Sequence, residues 1–247
     1  YFLQEIRYEN LILDSNTIPG WFMASLYFLF LLKVVMLFEN PPPAHQIPES
    51  LKDASSLPLG ALLTCLWLVF AATFCNSLIE VHLAKVAEEL WHWNVQSVSL
   101  YMAAISAVLI PTCLFAGRLS SLIEDRKGLM MTAPVGIIFS FLLLDFNLGV
   151  AGDVAVLSLG ASLLLIVATV ARPLVMSMIT KIVPPHLKGY SSTLCMAFLC
   201  LGRGFGSMLG DILQPWSVTL THLALCASMA VLTAANFSRL QVQDMAS

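Results

Sequence analysis

The sequence predicts an all-α fold, a polytopic transmembrane helical bundle. Apolar residues make up 58% of the 247 positions and charged residues only 11%, against about 25% charge in an average soluble domain. The mean hydropathy is +0.85. The apolar residues gather into seven runs separated by polar or proline-rich stretches. A bilayer core of about 30 Å needs roughly 20 helical residues, and the runs have about that length. A soluble fold of this size could not hide so much apolar surface, whereas a bilayer acts as its solvent.

Residues 1–17 are polar, with Glu5, Glu9 and Asp14. The first span covers Ile18 to Phe38, about 31 Å as a helix. It opens on Asn16-Thr17-Ile18-Pro19, a capping residue followed by a first-turn proline. Residues 39–57 carry Pro41-Pro42-Pro43 and Pro48 and predict an extended loop. The second span covers Pro58 to His82 and the third Val95 to Phe115, with Lys85, Glu88 and Glu89 in the aqueous segment between them. A charged loop, 116–127, leads to the fourth span, Gly128 to Asp145. A turn at Asn147-Leu148-Gly149 precedes the fifth, Asp153 to Met176. Pro184-Pro185 interrupts the loop 177–188, and the sixth span covers Gly189 to Ile212. Pro215 opens the seventh, which ends near Asn236 and leaves a polar tail, 237–247.

Basic residues set the orientation, because Lys and Arg collect on the cytosolic side. Lys33, Lys52, Arg118, Arg126, Lys127, Lys181, Lys188 and Arg239 fall on one side, and Arg7 and Lys85 on the other. The loop 39–57, the loops 116–127 and 177–188 and the tail are therefore expected in the cytosol, with the N-terminal segment outside or in a lumen.

The net charge of −3 and the lack of a basic block argue against nucleic acid as a partner. The six cysteines, Cys65, Cys75, Cys113, Cys195, Cys200 and Cys226, all lie inside apolar runs and form neither a disulfide framework nor a metal spacing. They are expected to pack as small hydrophobes. No catalytic constellation, metal cluster or nucleotide loop stands at an aqueous face, so neither enzymatic activity nor a cofactor is expected. The chain opens Tyr-Phe-Leu-Gln without an initiator Met, from which an upstream portion is expected.

Polar residues at membrane depth are expensive and point to function or to specific pairing. Arg203 lies near the middle of the sixth span and is expected to face protein or a cavity rather than lipid. Its two readings are a solute contact and a structural pair, with Glu80 or Asp211 as partner. Arg172, one turn from the cytosolic end of its span, could instead snorkel. Thr73, Asn76, Ser77 and Glu80 recur at i, i+3, i+4 and i+7 and share one helix face. Ser158, Ser162, Thr169 and Arg172 form a second stripe. The pair suggests either a shared aqueous path or ordinary interhelical hydrogen bonds. Gly202, Gly206 and Gly210 form a tandem small-xxx-small repeat for close helix packing. His82 and His222 are expected as packing histidines.

The run Gly117-Arg118-Leu119-Ser120-Ser121 to Gly128 resembles the cytosolic loop signature of the major facilitator superfamily, G-x-L-[SA]-D-x-x-G-R-[RK]. Gly117, Leu119 and Ser120 fit it. Ser121 replaces the Asp, and the charges have moved to Glu124, Asp125 and Arg126. Pro19-Gly20-Trp21-Phe22-Met23-Ala24, Phe38-Glu39-Asn40-Pro41-Pro42, Ile123-Glu124-Asp125-Arg126 and the Pro184–Gly189 run look like the SPX–major-facilitator group. That group includes plant vacuolar phosphate transporters and lysosomal relatives.

The resemblance implies the C-terminal half of a major facilitator fold plus one preceding span. Residues 1–38 would be a lumenal segment and the last helix of the N-terminal half. Residues 39–57 would be the central cytosolic loop, 58–236 the six-helix C-terminal half and 237–247 a cytosolic tail. It implies a secondary transporter for a small solute, an inorganic anion such as phosphate, in a vacuolar, lysosomal or plasma membrane. The partners would be the bilayer, the solute and an N-terminal half. Arg203, Glu80, Arg172 and Asn76 are the candidate solute contacts. The family's Arg and following Gly match Arg203 and Gly206, while Ala197 and Ser207 replace its two acids.

The alternatives are a truncated, non-transporting membrane subunit and a seven-span receptor. The receptor reading lacks the outer cysteine pair and the N-P-x-x-Y motif of the last span.

Overall fold

The computed structural model describes residues 6–8, 11–13, 59–122, 124–143, 150–184, 187–238 and 240, together with Ser25, Phe28, Leu29, Leu32, Lys33 and Met36. The chain divides into two units, Tyr1–Ala54 and Ser55–Ser247.

In the first unit, β1 (Ile6–Tyr8) pairs antiparallel with β2 (Leu11–Leu13), in the register Ile6 to Leu13, Arg7 to Ile12 and Tyr8 to Leu11. The polar reading of residues 1–17 did not anticipate this hairpin. Its strands hold β-branched and aromatic residues around Glu9-Asn10, a sequence suited to a tight connection. Of the first span, the six described positions are helical. The rest of it, the proline-rich loop 39–57, the Asn147-Leu148-Gly149 turn and the tail beyond Leu240 lie outside the described residues.

The second unit is a transmembrane helical bundle. Its helices are α1 (Leu59–Glu89), α2 (Val95–Ala107), α3 (Leu109–Leu122), α4 (Asp125–Ser140), α5 (Val150–Ile182), α6 (Lys188–Ile212) and α7 (Pro215–Ala235). Among the described residues six spans are long and apolar enough to cross a membrane, with α2 and α3 forming one of them.

The expected boundaries hold at α6 and α7 and shift elsewhere. α1 continues past His82 to Glu89, so Lys85, Glu88 and Glu89 ride on its last turns instead of a loop. Leu83, Val86 and Ala87 are buried there, and that apolar face holds the helix together. α5 runs past Met176 to Ile182 for the same reason, burying Met178 and Ile179. α3 absorbs the first half of the expected 116–127 loop. The third span breaks at Val108, whose N–H bonds the Ile105 carbonyl at 3.2 Å. Pro111 explains the break, because it cannot donate to the Ala107 carbonyl and its ring crowds it.

α1 is the central helix. Ala61, Cys65, Val69, Ala71, Leu78 and Leu83 are all buried, and a helix apolar on every side must be surrounded by others. Its first half packs with Ala171–Ile179 of α5, and its second half with Leu157–Leu165, so α1 and α5 run antiparallel. Gly136 faces Cys226 and Ser140 faces His222, which makes α4 and α7 antiparallel too. Gly202 packs at Phe70–Phe74 and Gly210 at Leu78–Val81, so α1 and α6 run parallel. These are the relations of a chain that crosses a membrane in alternate directions. Leu100, Leu114, Met196, Phe205 and Ile212 stand exposed on α2, α3 and α6, a surface suited to lipid.

Candidate functional site

The closest helix crossing sets the candidate site. Gly202, Gly206 and Gly210 are buried on one stripe of α6. At Gly202 a Cβ would fall 2.5 Å from the Phe70 carbonyl oxygen. At Gly206 it would collide with the Phe74 carbonyl, and at Gly210 it would sit 2.9 Å from that of Leu78. Only hydrogen at these positions lets α6 lie directly on the backbone of α1. Thr73 faces the same crossing and is satisfied within α1, donating to the Val69 carbonyl at 2.8 Å.

One residue on from Gly202, a helix turns about 100°. Arg203 therefore leaves the packed stripe, and its side chain is 70% exposed. A narrow glycine seam buries only its own stripe, so Arg203 faces away from the packed interior of this chain. Arg203 Nη2 lies 3.9 Å from Glu80 Oε2, with Glu80 37% exposed. That separation is well beyond the 2.7–2.9 Å of a charge-assisted hydrogen bond. The guanidinium is held near a carboxylate without being locked to it. Asp211, the other partner considered, is exposed, and its carbonyl accepts from Lys85 Nζ.

Asn76 lies one turn before Glu80 and is buried, with no hydrogen-bond partner for Oδ1 among the described residues. Arg172 follows Ala171, which packs with Ala71 and Ala72 of α1, close to the level at which Gly202 meets Phe70 and Phe74, but no hydrogen bond or ion pair joins it to Arg203 or Glu80 among the described residues. The Nε of Arg172 is buried with no hydrogen-bond partner among the described residues. Of the α5 stripe, Ser158 Oγ bonds Tyr101 Oη of α2 at 2.8 Å.

The loop residues form a separate cluster at the basic end. Asp125 is buried at the first turn of α4, where a carboxylate suits the positive end of the helix dipole. It accepts from Lys181 Nζ at 2.6 Å and Ser177 Oγ at 2.7 Å, both on the last turns of α5. Arg126 pairs with Glu124, and its guanidinium lies 4.7 Å above the Phe237 ring beyond α7. Lys127 and Arg126 hold the Glu124 carboxyl below its ordinary range. α4, α5 and the end of α7 are thus tied together by charge. Gly117 and Leu119 lie on helical backbone of α3. The sequence exposed the acids and bases of this cluster, but Ser177 and Phe237 carried no signal.

The bundle and its buried polar groups define a multi-pass integral membrane protein. The model of the Major Facilitator Superfamily matches residues 15–207, and the chain belongs to that family. Over 150 residues, 60% of this chain, it is 21% identical to an SPX domain-containing membrane protein of Arabidopsis thaliana. The chain spans 21% of the length of that relative.

Proposed function

We propose that the chain is the C-terminal half of a secondary transporter for a small inorganic anion, phosphate being the leading case. Arg203 binds the anion and Glu80 is its counter-ion in the empty site. The observation that carries the reading is the loose Arg203–Glu80 contact of 3.9 Å on an exposed flank of the glycine-packed α1–α6 pair. A guanidinium cannot lose its charge, and its fork matches an oxyanion in two-point geometry. An arriving anion takes the place of Glu80, whose carboxylate, 37% exposed, turns to solvent, and the guanidinium stays paired at membrane depth. Asn76 adds a polar group one turn away, and Arg172 a second cation toward the basic end. The family membership supports transport, with an N-terminal half completing the cavity in a vacuolar, lysosomal or plasma membrane.

The protein expressed from its complete coding sequence and reconstituted into vesicles is expected to take up labelled phosphate saturably, with other oxyanions competing. Uptake of every anion no faster than in protein-free vesicles overturns the reading.

The basic end carrying Arg126, Lys127, Lys181 and Lys188 is proposed to face the cytosol. Single cysteines at Lys188 and Glu88, with the exposed native cysteines replaced by serine, are expected to react with an impermeant maleimide from opposite sides. Labelling from the same side would refute the topology.

A further inference from the structure

The fold assembles three metal-binding side chains that the sequence keeps far apart. Cys75 of α1 and His222 and Cys226 of α7 present two sulfurs and one ring nitrogen within 4.8 Å of one another. All three residues are at most 5% exposed. Ligands of one tetrahedral zinc ion lie about 3.5–3.8 Å apart, given Zn–S near 2.3 Å and Zn–N near 2.0 Å. Side-chain movements of about 1 Å therefore close the set.

We propose that Cys75, His222 and Cys226 bind one Zn2+ ion that staples α1 to α7. The inference does not depend on the transport reading.

The surroundings leave the imidazole prepared for an ion. Ser140 Oγ donates to the Gly136 carbonyl at 2.6 Å and lies 2.7 Å from His222 Nδ1. With the serine proton committed to the carbonyl, the hydrogen of the second bond belongs to Nδ1. The neutral tautomer then carries its lone pair on Nε2, which is buried with no hydrogen-bond partner among the described residues; Nδ1 is the nitrogen 3.6 Å from Cys226 Sγ, so binding through Nε2 requires the ring to turn as well as the thiols to move. A metal-bound histidine is oriented in this way, by a second hydrogen bond from its other nitrogen. Room is also present. A cavity of ≈ 20 Å³ is lined by all three residues together with Gly136 and Thr132, enough for one water-sized occupant. Gly136 helps to keep it open, since a Cβ there would press on Cys226 Sγ at 2.9 Å.

Charge selects the ion. Binding releases the two thiol protons, and two thiolates with a neutral imidazole balance the +2 charge of zinc. In a low-dielectric bundle an electroneutral site avoids the cost of a net buried charge. A monovalent soft ion in the same site would leave one negative charge uncompensated. Three protein ligands leave the fourth tetrahedral position open.

The test is metal analysis of the protein expressed from its complete coding sequence, purified in detergent and kept reduced without chelators. About one zinc per chain is expected. Exchange for Co2+ should give thiolate-to-cobalt charge-transfer absorption. Cys75→Ser and His222→Gln should lose both signals, while Cys65→Ser, a buried cysteine outside the cluster, keeps them. If the cluster variants fail to fold, the zinc content and cobalt spectrum of the wild type still decide. Folded, reduced wild type holding less than about a tenth of an ion per chain overturns the proposal. So does undiminished zinc in Cys75→Ser, or a Cys75–Cys226 disulfide in native membranes with no metal bound after its reduction.

Discussion

Arg203→Ala is expected to abolish anion transport in the complete protein, and Arg203→Lys to keep a folded protein with weakened anion affinity. The two variants separate the roles open to this residue. In a loose ion pair with Glu80 at 3.9 Å, charge is nearly all that matters, and Lys supplies it. Two-point recognition of an oxyanion needs the guanidinium fork, which Lys cannot copy. Losing one charge-assisted hydrogen bond costs about 1.5–3 kcal/mol, so the lysine variant should bind the anion roughly 10- to 100-fold more weakly. Concentration-dependent uptake in vesicles, with expression and thermal stability measured in parallel, reads both effects. If both variants fold and transport with unchanged affinity, Arg203 does not touch the solute.

Gly206→Ala is expected to destabilise the bundle by about 3 kcal/mol, because the added Cβ collides with backbone and not with a flexible side chain. The Phe74 carbonyl belongs to the central helix and cannot yield without moving α1. In thermal unfolding a loss of this size lowers Tm by about 6–12 °C for a chain of this length. Gly204 is the matched control: on the same helix, a Cβ there meets nothing within 4 Å. Gly204→Ala should be neutral or stabilising by up to about 1 kcal/mol, since alanine favours helix over glycine. Equal effects at the two positions would mean that the seam seen here is not the one that forms.

The sequence by itself determined the membrane class and the places where the helices lie. Hydrophobic run length fixes how much chain a bilayer can hold, and α6 and α7 begin and end close to where their prolines and charges place them. The spacing of Gly202, Gly206 and Gly210 was readable as a packing stripe because helical periodicity is a local property. The ends of α1 and α5 were not readable. Lys85, Glu88 and Glu89 mark solvent in any local window, yet Leu83, Val86 and Ala87 bury a face that keeps α1 helical through them.

What tertiary structure alone decided is which distant residues meet. Asp125 with Lys181 and Ser177, Arg203 with Glu80, and Cys75 with His222 and Cys226 are contacts between residues on different helices, more than 50 positions apart in sequence. Sequence spacing reports neighbours on one helix face, whereas these partners depend on helix crossing and rotation, which at the α1–α6 pair are set by the close approach of backbones at glycine. The same seam turned Arg203 outward: adjacency to Gly202 was legible in the sequence, but the width of the buried stripe follows only from how closely α6 lies on α1.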